Sequence, residues 1–198
     1  MEILLKVKEG ILATSALEWT AVVFSLCYVY LAAKKNILCW VAALFSTGIY
    51  IYLCYIGQLY IESALQVFYF VMAIYGFVVW RNTKAEDSKI IKWKLSFHLT
   101  NIILSGLIAL LLGYLFDTYT DQQSAYLDAF TTCFSLAATF MVAKKVLENW
   151  IYWIVIDTAS VFLYANRDMY LTAVLLAIYT LFAVYGYFAW RKQFFKQG

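Results

Sequence analysis

The chain has 198 residues, 65% of them hydrophobic, 20% aromatic and 14% charged, with no proline, a mean hydropathy of +0.75 and a formal net charge of +3. Soluble domains are about 45–50% apolar and about 25% charged, and a compact chain of this length could not hide so much apolar surface in one core. A soluble globular enzyme is excluded, and so is a disordered chain, which needs low hydrophobicity and high charge. Lipid is the remaining solvent.

Residues 1–16 read as an N-terminal segment on the outer side. Glu2 and Glu9 interrupt its short apolar run and no small-residue cleavage site follows, so it does not read as a cleaved signal peptide. A helix needs roughly 20 apolar residues to cross the hydrocarbon core. Apolar runs bounded by charged, Gly, Gln or Asn breaks predict seven transmembrane helices, near 17–33, 37–56, 60–80, 95–116, 125–143, 147–165 and 170–190. The runs are continuous rather than alternating, which excludes a barrel. Residues 192–198 form a tail.

Seven crossings place the termini on opposite sides. Lys34, Lys35, Arg81, Lys84, Lys89, Lys92, Lys94, Lys144, Lys145, Arg191, Lys192 and Lys196 then share one side, 12 of the 15 cations. Lys6, Lys8 and Arg167 fall on the other. The positive-inside rule sets the C-terminus in the cytoplasm and the N-terminus outside. These cations sit in loop clusters rather than on one basic face, so nucleic acid is not an expected partner. Cys27, Cys39, Cys54 and Cys133 lie inside apolar stretches without a CxxC spacing and read as small core residues.

Laid over residues 127–191 at an offset of 110 without a gap, residues 17–81 match at 17 of 65 positions. Phe24-Ser25-Leu26 falls on Phe134-Ser135-Leu136, Lys34-Lys35 on Lys144-Lys145, Trp40 on Trp150, Tyr60 on Tyr170, Tyr69 on Tyr179, Tyr75-Gly76 on Tyr185-Gly186 and Trp80-Arg81 on Trp190-Arg191. Shared apolar composition would not align these marks in register. The expected fold is an all-α membrane protein in a 3+1+3 arrangement. Residues 17–81 form the first three-helix repeat, 95–116 the joining helix and 125–191 the second repeat, in the same orientation. Parallel repeats about an axis along the membrane normal are a transporter architecture, with substrate near the midplane at the repeat interface.

Intramembrane charge costs roughly 2.5–3.5 kcal/mol at mid-span on insertion scales and marks function. Asp157 lies midway along the sixth run. Trp150, Trp153, Asp157 and Tyr164, at i, i+3, i+7 and i+14, share one helical face. A carboxylate flanked by two indoles describes a cage for an organic cation; the alternative is that Asp157 pairs with a Lys or Tyr to hold helices together. Between repeats, Trp153 matches Ala43 and Asp157 matches Thr47, and marks present in one half only suit an asymmetric ligand. The third run offers Glu62, Gln66, Tyr69 and Gly76. Gln66 can present an amide to a ligand or bond a neighbouring helix, and Glu62 is near the surface. Tyr69 and Tyr179 are candidates to line a pathway from both halves, and Thr47 and Tyr50 to face the repeat axis opposite Asp157.

Glu18 and Asp128 read as helix-end charges. His98, the sole histidine, has no partner cluster in sequence, so neither a metal nor a cofactor is expected. GxSxG, P-loop and HExxH motifs are absent, which argues against an enzyme. Without proline, bending must come from glycines such as Gly48, Gly76 and Gly186, or the bundles must rock rigidly.

The stretch Asn149-Trp150-Ile151-Tyr152-Trp153 with its WxxW pattern, followed by Asp157, Leu163-Tyr164-Ala165 and Tyr170-Leu171-Thr172-Ala173, resembles the PnuC family of vitamin transporters. Leu65-Gln66-Val67-Phe68-Tyr69 and Tyr75-Gly76…Trp80-Arg81 resemble it too, and the likeness runs from about residue 17 to 191. It implies a SWEET-like fold in the bacterial inner membrane, assembled as a homotrimer. It also implies facilitated diffusion of nicotinamide riboside with no coupling ion, trapped by phosphorylation in the cytosol. The family's substrate contacts, WxxW tryptophans and nearby amides, point here to Trp150, Trp153, Asp157, Gln66 and Asn149. One departure stands out: position 157 is often Asn in that family. A carboxylate favours a cation, and both nicotinamide riboside and thiamine qualify, with neutral riboflavin the poorest fit. A proton-coupled symporter using Asp157 or Glu62, and a non-transporting membrane module, are the competing readings.

Overall fold

The structure is a computed structural model describing residues 2–58, 60–83, 89–120 and 124–197; Lys84 lies outside the described residues. Eight helices account for almost all of them: α1 (Glu2–Ala13), α2 (Ala16–Ala33), α3 (Leu38–Ile56), α4 (Tyr60–Asn82), α5 (Leu95–Tyr119), α6 (Ala125–Ala143), α7 (Asn149–Asn166) and α8 (Tyr170–Lys196). Helices α2 to α8 fall on the seven apolar runs. The N-terminal segment, expected only as a stretch outside the seven runs, is itself helical over Glu2–Ala13.

Six helices among the described residues are long and apolar enough to cross a membrane: α2, α3, α4 from Glu62 onward, α5, α6 and α8. The sixth apolar run, α7, is long enough at 18 residues but falls short in hydropathy. The reason is its polar cargo: Asn149 and Asn166 at its ends and Asp157 in its middle. The outside of the helices suits lipid. Leu107 and Leu110 on α5 are each 61% exposed, with Ile103, Leu104 and Leu111 exposed beside them.

The turns repeat at the sequence offset. Lys35 and Lys145 both have φ 56°, and Gln58 and Asp168 both have φ 60°, each pair 110 residues apart. Non-glycine residues rarely take this left-handed conformation, which crowds Cβ against the carbonyl. It is retained because it ends a helix. Lys35 N–H donates to Ala32 O and Asn36 N–H to Leu31 O, at 2.8 and 2.9 Å. Lys145 N–H donates to Val142 O and Val146 N–H to Met141 O, at 2.9 and 3.0 Å. These are matching Schellman closures, which satisfy the carbonyls that a helix leaves bare at its C-terminus. Burial, and then the neighbouring Lys35 charge, hold the Lys145 ammonium below the usual lysine range.

The chain divides into two compact units. One comprises Thr14–Ile91, Thr139–Leu147 and Tyr185–Gly198, and so contains α2, α3, α4 and the last turns of α6 and α8. Small residues let its helices approach: Ala21, Ala32, Ala33, Ala42, Ala43 and Ala73 are buried, the side-chain class that packs helices in membranes. Ser46 donates to Ala21 O at 3.0 Å and Ser63 to Ile51 O at 3.3 Å. Trp40 fills the centre, edge-on to Trp80 with ring centroids 5.5 Å apart and tilted against Tyr28 at 5.9 Å. A Cβ on Gly76 would come within 2.4 Å of the Trp40 ring. Gly76 is therefore the floor of an indole slot, where the sequence reading had offered it as a bending point.

The other unit comprises Met1–Ala13, Lys92–Ala138 and Glu148–Val184. Two small apolar clusters hold it: Ala109, Ala129 and Cys133 with Leu112 and Phe130, and Phe134, Ala138 and Ile156 with Tyr152 and Trp153. Here too a glycine receives an aromatic ring, Gly113 lying against Tyr126. All four cysteines are free; Cys39 and Cys133 are buried and Cys54 half-buried, but Cys27 is exposed and is no core residue.

Gly76→Ala is expected to lower the Tm of the detergent-solubilised protein, at a cost of about 1–3 kcal/mol for overpacking. Gly106→Ala, whose added Cβ would meet nothing within 4 Å, should leave it unchanged in the same thermal-unfolding measurement.

Candidate substrate-binding site

Helix α7 holds a buried carboxylate and two tryptophans. Its buried residues are Asn149, Trp150, Ile156, Asp157, Ser160 and Leu163, which at 100° per residue form one continuous arc. Ile151, Val155 and Phe162 are exposed on the opposite side. Trp150, Asp157 and Tyr164 project within a narrow sector of the buried side, with Trp153 beside them. Trp150 is 2% and Asp157 6% exposed, whereas Trp153 and Tyr164 are half-buried.

Asp157 is the anomaly on this face. A buried carboxylate is retained only where something offsets its loss of water. The ion pairs formed by the described residues of this unit join Lys6 to Asp168, His98 to Glu148 and Arg167 to Asp128, and none of them reaches Asp157. The alternative of a lysine lock is thus not what the described residues form. Trp153 does two things at once, packing one side against the Phe134, Ala138 and Ile156 cluster while staying partly accessible. Asn149, fully buried, opens α7 next to Trp150.

Tyr179 is half-buried on α8 in the same unit. Thr47, Tyr50, Gln66 and Tyr69 belong to the other unit, and all four are half-buried. The Thr47 hydroxyl donates to Ala43 O of its own helix at 2.7 Å, so its proton is committed locally. Tyr69 lies edge-on to Phe68. Glu62 is exposed near the start of α4.

Three polar groups differ from expectation. His98 has partners: its Nδ1 lies 3.2 Å from the Tyr152 hydroxyl and its Nε2 3.8 Å from Glu148 Oε2. The other Glu148 contact is Trp93, whose backbone N–H donates to Oε2 at 3.4 Å. His98, Asn101 and Ser105 therefore form a polar track at i, i+3 and i+7 on α5, with Ser105 donating to Asn101 Oδ1 at 3.4 Å. That spacing was present in the sequence; the partners on α7 were not visible without the fold. Asp128 is not a free helix-end charge but pairs with Arg167 at 3.3 Å. Lys6 pairs with Asp168 at 2.8 Å, tying α1 to the α7–α8 turn, and Gly10 of α1 rests against Leu171. Among the described residues no group of three His, Cys, Asp or Glu is placed to hold a metal ion.

The profile of the nicotinamide mononucleotide transporter family matches residues 15–192, nearly the whole chain. The chain belongs to that family, and it is a membrane transporter rather than an enzyme. It is similar to the nicotinamide riboside transporter PnuC of Escherichia coli, at 26% identity over 160 residues covering 67% of each chain. To the transporter of the same name from Neisseria mucosa it is 28% identical over 191 residues, covering 87% of this chain and 70% of the relative. Its fold is that of the crystal structure of the vitamin B3 transporter PnuC, with a TM-score of 0.74 and 21% identity over 99% of this chain and 91% of the other.

The Lys6–Asp168 pair has a definite pH signature. The hydrogen bond and charge of Lys6 hold the Asp168 carboxyl below the usual carboxylate range. Its contribution is therefore complete above that range and is lost as pH falls through the lowered value. Asp168→Asn should remove it at every pH and speed amide hydrogen exchange in residues 2–13, measured by mass spectrometry at neutral pH.

Proposed function

We propose that this chain carries nicotinamide riboside into the cytosol by facilitated diffusion, with the buried face of α7 as the wall that recognises it. The observation carrying this reading is Asp157: a carboxylate 6% exposed, on the same helical face as Trp150 and Trp153, with no ion pair among the described residues. Nicotinamide riboside bears a pyridinium, whose positive, flat ring complements both a carboxylate and an indole face. The relatives from Escherichia coli and Neisseria mucosa, nicotinamide riboside transporters, support the same substrate. Asn149 supplies an amide beside Trp150, and Tyr179 a further aromatic contact. Gln66, Tyr69, Tyr50 and Thr47 are proposed as additional recognition residues, each to be tested by its own substitution.

The finer architecture belongs to the same proposal. Helices α2, α3 and α4 form one repeat, α5 joins, and α6, α7 and α8 form the other, in a seven-crossing SWEET-like arrangement. The 110-residue recurrence of left-handed turns supports it. So does the cation asymmetry, which puts the C-terminus and the lysine-rich loops in the cytoplasm of a bacterial inner membrane. On the outer face, two of the three cations are matched by acids, Lys6 by Asp168 and Arg167 by Asp128. Assembly as a homotrimer, and trapping of the substrate by phosphorylation, rest on likeness to the PnuC family.

Uptake into proteoliposomes tests the proposal directly. Labelled nicotinamide riboside should equilibrate down its gradient, unaffected by an imposed pH difference; thiamine and riboflavin are run beside it. Faster entry of thiamine than of nicotinamide riboside would reassign the substrate, and a pH-driven accumulation would make the protein a symporter. Asp157→Asn should weaken binding of the cationic ligand by about tenfold, the scale of one charge-assisted hydrogen bond, and binding of a neutral analogue much less. Equal losses for both ligands would remove charge recognition from the account. Trp153→Ala should raise the Kd by isothermal titration while the purified protein stays folded.

A further inference from the structure

The two tryptophans that close the repeats do not bond within their own repeat. Trp80, at the end of α4, donates its indole Nε1–H to Ala143 O in the last turn of α6, at 3.0 Å. Trp190, near the end of α8, donates its Nε1–H to Ala32 O in the last turn of α2, at 3.0 Å. The donors are 110 residues apart and the acceptors 111, so the two bonds are the same contact exchanged between corresponding helices. Both rings are buried, 7% and 0% exposed, and their centroids lie 6.4 Å apart. The Lys145 ammonium sits 5.0 Å from the Trp80 centroid. Beside them Ile91 and Val146 form a parallel bridge, with Ile91 N–H donating to Lys145 O at 3.0 Å and Leu147 N–H to Ile91 O at 2.8 Å.

We propose that this reciprocal pair of indole–carbonyl bonds is the closure of the transport pathway at the lysine-rich face, made when that face is shut and broken together when it opens. The proposal rests on the transporter reading above. Three features carry it. The acceptors belong to the final turns of α2 and α6, where carbonyls lack a donor one turn on in their own helix; Ala32 O is shared with the Lys35 N–H of the corner that follows α2, and each carbonyl takes the indole without disturbing the ladder. Each bond is a single localised contact, so it can be exchanged for water when the face opens. Because the contact is duplicated, with each half's tryptophan on the other half's helix, any separation of α2 and α4 from the ends of α6 and α8 breaks both bonds at once. Two indoles in contact, each held by one bond, therefore behave as one latch with two states. Lys35 and Lys145, at the corners just beyond the acceptors, bring cationic side chains to the same place.

Cys39 supplies a native reporter. It is fully buried, adjacent to Trp40, whose ring is 5.5 Å from that of Trp80, and its backbone N–H bonds the Asn36 corner that follows α2. In a protein carrying Cys27→Ala, Cys54→Ala and Cys133→Ala, a membrane-impermeant maleimide is applied to inverted and to right-side-out vesicles. Adding Trp80→Phe and Trp190→Phe, which keep an aromatic ring at each place and delete both donors, should speed Cys39 labelling from the lysine-rich face about thirtyfold, the factor that two net hydrogen bonds carry. If the double variant does not reach the membrane, the single variants decide, and each must accelerate labelling. Unchanged labelling in a folded variant, or a lowered Tm with no change in labelling from either face, makes the tryptophans structural and overturns the proposal. Acceleration from the opposite face alone overturns it as well. The reporter needs no substrate, so faster labelling without any nicotinamide riboside transport would uphold the latch and fail the substrate assignment.

Discussion

In hydrocarbon no water is available to complete a hydrogen bond, so every polar group the helices carry inward must be satisfied by the protein or reserved for a ligand. Most of this structure is a solution to that constraint. Hydroxyls are absorbed by backbone: Ser25, Thr47, Ser135, Thr158 and Thr180 each donate to a carbonyl one turn back on their own helix. Ser46 and Ser63 instead bond a neighbouring helix and help to fix its position. Helix ends, which leave carbonyls bare, are closed by left-handed corners at Lys35 and Lys145 and by the indole donors of Trp80 and Trp190. Asp157 stands apart as a buried carboxylate without an ion pair among the described residues, and this is the ground for proposing that the cargo supplies its counter-charge.

The two stretches that match at the 110-residue offset differ under the same constraint. Several residues common to both are engaged in packing and helix-end contacts, while Trp150, also common to both, lies on the buried face of α7. Trp40 lies in a slot floored by Gly76, Trp80 and Trp190 bond helix ends, and the paired lysines terminate α2 and α6. Residues found in one half only are where recognition is to be sought, because the proposed substrate, a nucleoside, has no twofold symmetry. Trp153 and Asp157 occupy the places of Ala43 and Thr47, and Thr47 shows what the unspecialised position does: it bonds its own backbone. Replacing that threonine with an aspartate creates an acceptor that no nearby backbone carbonyl can satisfy.

How far the site was legible depends on which physical signal was involved. The α7 face could be read from helical periodicity, since Trp150, Asp157 and Tyr164 are fixed on one side by 3.6 residues per turn alone. The His98 arrangement could not. Its track with Asn101 and Ser105 is local, but Glu148 and Tyr152 are some fifty residues away, and helix packing brings them within reach. Asp128 looked like a solvated helix end because Arg167, its partner, is 39 residues away. Gly76 invited a dynamic role in a chain without proline, and only the position of the Trp40 ring shows that the missing side chain makes room for another.

The sequence by itself determined the solvent, the helix positions, the duplication and the polar face of α7, because hydropathy, periodicity and register are properties of neighbours along the chain. Tertiary structure decided which polar groups neutralise one another, which glycines hold rings, and that each terminal tryptophan bonds a helix of the opposite half. Those contacts join residues as far apart as Ala32 and Trp190, and no local pattern encodes a partner at that separation.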